Sequence, residues 1–370
     1  MKIVILSPKA IIGLNHGAAI RIYSLAKALA LLDNEVVVIC ISRFRGGRFF
    51  KKIHEPNLTI ITASLLEVIF SLNSFLNALI KASVIQIEFP TFSLLIPILR
   101  LLEKPVILDE HGVEIEFLRE SHNALGEKVS LKEYFRMFLL ELLGVRMASY
   151  VFVCSKVDLK RVQSIYKVPE SKIVVIPNGV DEEFFEDVKA YNYGKPAVLF
   201  VGSFDHSPNV FAAKFLLEYV IPRLLEENED VVFVFVGRNP PSWLSRHSFG
   251  ERVKVIGNVK DVRPFIAGAD VVVVPIFHGS GTRIKILQCM ALGKPVISTS
   301  KGAEGLEVED GQNILITNTP EDFVSKVLRL LGDKSFAKKL GSSARELVMK
   351  KYLWSHIAFD VLKNFNEFFK

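Results

Sequence analysis

The sequence predicts an α/β protein built from two doubly wound units, each a parallel sheet flanked by helices. Three observations carry this. Short Val- and Ile-rich runs alternate with longer segments of helical period along the 370 residues, as strands joined by crossover helices do. The alternation lapses once, over a polar stretch from Glu182 to Pro196, and then restarts. Half of the residues are hydrophobic and 23% are charged, enough apolar side chain to fill two cores and too much for a disordered chain.

In the first half, strands are expected at Ile3 to Leu6, Glu35 to Ile41, Leu58 to Thr62, Val84 to Ile87, Val106 to Asp109, Tyr150 to Cys154 and Ile173 to Ile176. Each is short and apolar on both faces, as a covered parallel strand must be. A helix from Gly17 to about Leu31 follows the first strand, and helical stretches fill most other gaps. Pro177-Asn178-Gly179-Val180-Asp181 reads as a turn, and the stretch to Pro196, ending Tyr-Asn-Tyr-Gly-Lys-Pro, as a linker. Strands resume at Ala197 to Val201, Val231 to Val236, Val253 to Ile256, Val271 to Val274, Val296 to Thr299 and Ile314 to Ile316. From Tyr352 to Lys370, apolar residues at Leu353, Ile357, Val361, Leu362, Phe365 and Phe369 mark an amphipathic helix. The expected domains are therefore 1–187 and 188–350, with a terminal helix at 351–370 available to pack back on the N-terminal domain. Such sheets bind ligands beyond the carboxyl ends of their strands, so chemistry is expected where βα loops of two facing domains line a cleft.

Composition removes several classes. Cys40, Cys154 and Cys289 are far apart with no paired or His-adjacent spacing, which excludes a disulfide framework and a Cys-ligated zinc site and fits a reducing, cytoplasmic setting. Only four apolar residues precede Pro8, too few for a signal peptide, and no uncharged run approaches the ~20 residues of a bilayer span. The net charge of +6 is concentrated at the N-terminus, where residues 1–60 hold nine Lys or Arg against three acids. There Arg43, Arg45, Arg48, Lys51 and Lys52 flank Phe44, Phe49 and Phe50. That composition suits peripheral contact with anionic lipid at the inner face of a membrane, or a solvated loop between strands. No basic stripe elsewhere supports nucleic acid as a partner.

Five loops stand at strand ends. Gly17-Ala18 opens the first helix after His16, offering free N–H groups, but the spacing from Gly13 does not match a dinucleotide fingerprint, so no nicotinamide or flavin cofactor is expected. Asp109-Glu110-His111-Gly112 gathers one imidazole and two carboxylates without metal-ligand spacing, so no metal is expected. Gly202-Ser203-Phe204-Asp205 and Gly302-Ala303-Glu304-Gly305 have glycines that permit close backbone approach. The densest signal is Val271-Val272-Val273-Val274 followed by Gly279-Ser280-Gly281-Thr282-Arg283-Ile284-Lys285, a strand, a tight turn and a helix that Thr282 could cap. Arg283 and Lys285 oppose the dipole of that helix, so an anion such as a diphosphate should compensate them.

Taken together, Val201-Gly202-Ser203, Pro208-Asn209-Val210, Gly257-Asn258-Val259, the block from Asp270 to Val296 and Gly302-Ala303-Glu304-Gly305-Leu306 resemble the retaining GT-B glycosyltransferases of family 4, in family order and over nearly the whole chain. The resemblance implies a GT-B fold, a nucleotide-diphosphate sugar as donor, and transfer to a lipid-linked or polysaccharide acceptor with retained anomeric configuration and no metal. It implies that Arg283 and Lys285 neutralise the leaving diphosphate and that His111 sits against the donor sugar. The base would lie near Gly257, Asn258 and Val259, the ribose near Gln288, and the rest of the donor against Gly202, Ser203, Gly279, Ser280, Gly281, Thr282, Gly302, Ala303 and Glu304. His16, Gly17, Ala18 and Glu88 would face the acceptor.

The sequence departs from the family pattern in three places. Ser203 and Asn209 stand where many members have Arg and Lys. Gln288 replaces a Glu that accepts from both ribose hydroxyls, and an amide has only one acceptor oxygen. Ser280 replaces the first Glu of a paired-carboxylate pattern. These departures keep open a weak or inactive sugar-nucleotide-binding homologue, and a sugar-nucleotide epimerase of related fold is the other enzyme alternative.

Overall fold

The computed structural model describes residues 1–8, 11, 16–42, 51–246 and 252–368. It divides into two compact units, Met1–Asn178 with Trp354–Lys370, and Gly179–Leu353.

The first unit is built on strands β1 (Lys2–Ser7), β2 (Glu35–Ser42), β3 (Lys51–Glu55), β4 (Leu58–Ser64), β5 (Val84–Glu88), β6 (Val106–Glu110), β7 (Tyr150–Val153) and β8 (Ile173–Val175). They run in the order β3-β4-β2-β1-β5-β6-β7-β8, parallel except for β3 against β4. Because successive side chains face opposite sides of a strand, Ile3 and Ile5 enter one core and Val4 and Leu6 the other. Helix α1 (Gly17–Leu31) and the helix Trp354–Phe368 cover the first face, burying Ile22, Leu25, Trp354, Ile357 and Phe365. The second face carries α2 (Leu65–Phe70), α3 (Leu72–Ile80), α4 (Ile96–Arg100), α5 (Glu114–Leu125), α6 (Leu131–Met147) and α7 (Lys156–Tyr166), through residues such as Val68, Leu79, Leu99, Ile115, Val145 and Val162.

The second unit holds β9 (Ala197–Val201), β10 (Val232–Gly237), β11 (Val253–Gly257), β12 (Val271–Val274), β13 (Val296–Ser298) and β14 (Leu315–Ile316). Their order is β11-β10-β9-β12-β13-β14, every pairing parallel. All carboxyl ends therefore meet along one edge of this sheet.

Two expectations change. The division falls at Asn178–Gly179 rather than at 187/188, because the stretch read as a linker is built into the second unit. The Phe185 carbonyl accepts from Arg345 at 2.7 Å, that of Glu183 accepts from Arg263 at 3.1 Å, and Tyr191 N–H donates to Pro264 O at 2.9 Å. Lys51 and Lys52, read as part of a lipid-facing or solvated loop, instead begin β3 and pair with Thr62 and Ile61. Lys-Lys-Ile-His-Glu is a short polar strand of the kind that protects a sheet edge. Arg43, Arg45, Arg48, Phe49 and Phe50 lie outside the described residues.

Candidate functional site

In the first unit, the carboxyl ends of β5 and β6 present a buried polar network. The apolar pattern of β5 is broken at alternate positions by Gln86 and Glu88, which share one side of the strand. Asp109 ends the same side of β6 and takes Arg21 of α1 in a bidentate pair, Nη2 to Oδ1 at 2.9 Å and Nε to Oδ2 at 3.1 Å. Nη1 of Arg21 also reaches the Pro177 carbonyl and Asn178 Oδ1, at 3.0 and 3.2 Å. Gln86 Nε2 donates to Glu88 Oε1 at 2.7 Å and to Asp109 Oδ2 at 3.3 Å. The other oxygen of Glu88 lies 2.5 Å from His111 Nε2. Burial pushes the Glu88 carboxyl up to about 7, against the pull of Arg21 and the Gln86 hydrogen bond.

Phe89 fixes the imidazole from the other side. Its ring stacks on His111 at 4.2 Å between centroids, and its backbone holds φ at +65° ahead of Pro90, a strained conformation for a bulky residue. Donor atoms of Glu88, Asp109 and His111 lie within 4.8 Å of one another. Within the protein these carboxylates meet Arg21, Gln86 and His111.

Two acceptor assignments need correcting against this geometry. Glu88 is 1% exposed with both oxygens engaged, which makes it a partner of His111 rather than a group facing a ligand. His16 caps α1, its Nδ1 accepting from Ala19 N–H at 3.1 Å, while Gly17 and Ala18 form the first turn, Gly17 exposed.

In the second unit, the predicted donor residues gather on the carboxyl edge of one sheet. Gly202 and Ser203 follow β9, Gly257 ends β11 with Asn258 and Val259 beyond, Gly279–Arg283 follow β12, and Gly302–Glu304 follow β13. The backbone is closely approached at Gly202 and Gly302. A Cβ on Gly202 would lie 2.6 Å from Lys285 Nζ, and one on Gly302 would lie 2.3 Å from Ser298 Oγ. Asn258 adopts φ +56° and accepts from Asn239 N–H at 3.0 Å, tying the β10 and β11 loops. Glu304 pairs with Lys301 at 3.1 Å.

The helix after the Gly-Ser-Gly-Thr turn is Ile284–Ala291, with Arg283 rather than Thr282 at the N-cap and no side-chain cap. Gly279 at φ +107° and Gly281 at φ +72° turn carbonyls toward the guanidinium. Arg283 donates to Gly279 O at 2.9 Å, to Ser280 O at 2.8 Å and to Gly281 O. It thereby shapes the loop as well as charging it. Lys285, in the first turn, reaches Asn209 Oδ1 at 2.5 Å and lies 4.9 Å over the Phe200 ring. Burial, and then the charge of Arg283, depress its ammonium to about 7. Gln288 is half-buried one turn further on.

Two covered α/β sheets, each with its glycine loops and charged groups at the carboxyl edge, define the GT-B class of glycosyltransferase. The chain belongs to glycosyltransferase family 4. The family model described as Glycosyltransferase Family 4 matches residues 15–184, and Glycosyl transferases group 1 matches residues 195–333. An uncharacterised glycosyltransferase of Methanocaldococcus jannaschii is 29% identical over 214 residues, 54% of each chain. The chain thus spans about half the length of the curated relatives it matches. The fold is that of sucrose-phosphate synthase from Thermosynechococcus elongatus (TM-score 0.79, 18% identity, 100% of this chain and 99% of that one). It is also that of Anabaena HepE solved with UDP (TM-score 0.75, 15% identity, 99% and 100%) and with UDP-glucose (TM-score 0.73, 16% identity, 99% and 100%). No helix among the described residues is long and apolar enough to cross a membrane.

The sequence singled out His111, Arg283 and Lys285 but not Gln86. A signal for Gln86 exists: polar residues at alternate positions of an otherwise apolar strand.

Proposed function

We propose that the protein transfers a glycosyl group from a nucleotide-diphosphate sugar to a lipid-linked or polysaccharide acceptor, with retained configuration and without a metal ion. The observation that carries this is Lys285, a half-buried lysine held by the neutral Asn209 amide beside Gly202, with Arg283 folded into the adjoining turn. An ammonium held by a neutral amide at a glycine loop suits an anion that arrives with the substrate. The UDP and UDP-glucose complexes of the structurally similar Anabaena protein support a nucleotide-sugar donor.

In this reading the bond from the anomeric carbon to the phosphate oxygen breaks as the acceptor oxygen bonds that carbon on the same face. The acceptor's proton passes to the departing phosphate oxygen. Lys285 in its ammonium form and Arg283 stabilise the charge that develops on the diphosphate, the largest catalytic contribution in such a site. The family resemblance implies a role for His111, held by Glu88 and Phe89, in contacting the sugar. The basic, aromatic composition of residues 43–50 supports an acceptor presented at an anionic membrane surface.

A thermal-shift panel of UDP-, GDP- and ADP-sugars tests the donor, since a ligand of the native state raises the unfolding midpoint. The stabilising donor is then incubated with lipid and oligosaccharide acceptors in chelator, and the anomeric configuration of the product is read by NMR. No response to any nucleotide sugar overturns the reading. Stabilisation without turnover favours the inactive binder that Gln288 and Ser280 suggest.

A further inference from the structure

The helices on the second face of the first unit leave an apolar outer surface. Eleven of the sixteen large hydrophobic side chains exposed in the described part of this unit belong to α2–α4, the turn between β5 and α4, and α6. On α3, Leu72, Leu76 and Ile80 are exposed while Leu79 fills the core. On α4, Ile98 points out and Leu99 in, and Leu101 just beyond is 80% exposed. On α6, Leu131 is 87% and Phe135 61% exposed. These elements form one layer, because they cover the same sheet face and α6 packs against the Pro90–Leu95 turn and α4. A patch of this kind on one side of a domain marks an interaction surface.

Charge decides what it meets. Across α2 and α3 the single charged residue is Glu67, and its carboxylate is spent on the Ser64 N–H at 2.7 Å in a capping box. From the end of α3 to Arg136 on α6 the exposed cations Lys81, Arg100, Arg119, Lys128, Lys132 and Arg136 outnumber the exposed acids Glu103 and Glu127. A second copy docked face to face would set like charges together, whereas an anionic surface complements them. Leucine and phenylalanine flanked by Lys and Arg on short helices is the composition of segments that lie in the lipid interface.

We propose that this helical layer is a docking face for anionic lipid, seating the first unit on a membrane without spanning it. The proposal rests on the membrane-acceptor reading above and gives it a surface made of residues other than 43–52. The full chain is sedimented with vesicles of phosphatidylcholine, with and without phosphatidylglycerol. Expected is binding that requires phosphatidylglycerol, weakens roughly tenfold or more in L72E/L76E, and weakens again in K132E/R136E. These positions are exposed, so melting midpoints should not move.

A polarity-sensitive probe on L76C, the native cysteines being buried, should shift to the blue on adding vesicles. The same probe on L31C, on α1 of the opposite face, should not. Unchanged sedimentation of L72E/L76E, or equal shifts at both labels, overturns the proposal. So does a dimer in light scattering that L72E/L76E disperses, which would give the face to a second copy. Nucleotide-sugar stabilisation, measured on the same variants, reports on the donor site independently of either result.

Discussion

The Nε2 of His111 stands 2.5 Å from Oε2 of Glu88, inside a network closed by Gln86, Asp109 and Arg21. The groups facing the pair are Arg21 from α1, Asp109 from β6 and Cys154 after β7, whose thiol donates to the His111 carbonyl at 3.4 Å. Glu88→Gln keeps the shape and removes the carboxylate that His111 Nε2 meets, so transfer from the donor should slow roughly tenfold or more while the melting midpoint holds. Steady-state kinetics beside a thermal melt check this, and unchanged turnover would leave Glu88 as packing only.

Asp109→Asn should destabilise the first unit by about 3–5 kcal/mol, because it strands the fully buried Arg21 cation. Urea unfolding of the variant would expose the error if the cost proved under about 1 kcal/mol, the range of a surface pair.

Lys285 gives a prediction with two opposite signs. Its folded-state pKa of about 7 lies below the ordinary 10.5, so the unfolded chain binds the extra proton between these values. Stability of the free protein should therefore gain from this residue as pH rises from 7. UDP, used as the probe, needs the ammonium form, so its affinity should fall over the same range, up to about tenfold per pH unit until the bound form also titrates. Lys285→Met should flatten both trends in calorimetry and thermal melts. Persistence of both trends in the variant would remove Lys285 from the donor site.

Gly237→Ala should cost roughly 1–3 kcal/mol or more and loosen the donor edge. A Cβ there would sit 1.8 Å from Gly202 O, backbone that cannot swing aside as a side chain would. Melting of the variant with and without UDP measures the loss, and an unchanged midpoint would mean that β9 and β10 can separate freely.

Most of this was legible in the sequence for a physical reason. Buried parallel strands must be apolar on both faces, so Ile3-Val4-Ile5-Leu6 or Val271-Val272-Val273-Val274 announces itself. The polar β3 carries no such signal, and only its pairing with β4 reveals it. The site was legible where glycines punctuate strand ends, as at Gly202 and Gly302. It was not legible where function depends on a partner distant in sequence. Arg21 meets Asp109 across 88 residues, and nothing local to either one shows that Glu88 serves His111. Arg283 was rightly placed at the turn, yet its hold on three loop carbonyls follows from the positive φ of Gly279 and Gly281, which composition does not record.

The other side of β6 supplies a test in stability alone. Glu110 is fully buried, with no hydrogen-bond partner on either oxygen among the described residues, and burial together with Glu141 pushes its carboxyl well above the ordinary 4.5. Glu114, Asp109 and Asp158 add to that field. Glu141 is also raised by burial, to about 7, but accepts from Tyr166 at 2.6 Å and from the Glu114 and Ile115 N–H groups at 2.9 and 3.1 Å, where α5 begins. A raised carboxyl stabilises the fold below its unfolded pKa, and that contribution is lost as pH rises through the folded one. Glu110→Gln removes one titration and no hydrogen bond. It should therefore leave stability near pH 4 little changed and gain on the parent protein progressively as pH rises to 8. Glu141→Gln, with one acceptor oxygen where three donors converge, should instead destabilise at every pH. Urea unfolding of both variants across this range separates the two carboxyls. Parallel curves for Glu110→Gln and the parent protein would show that Glu110 finds a partner in solution.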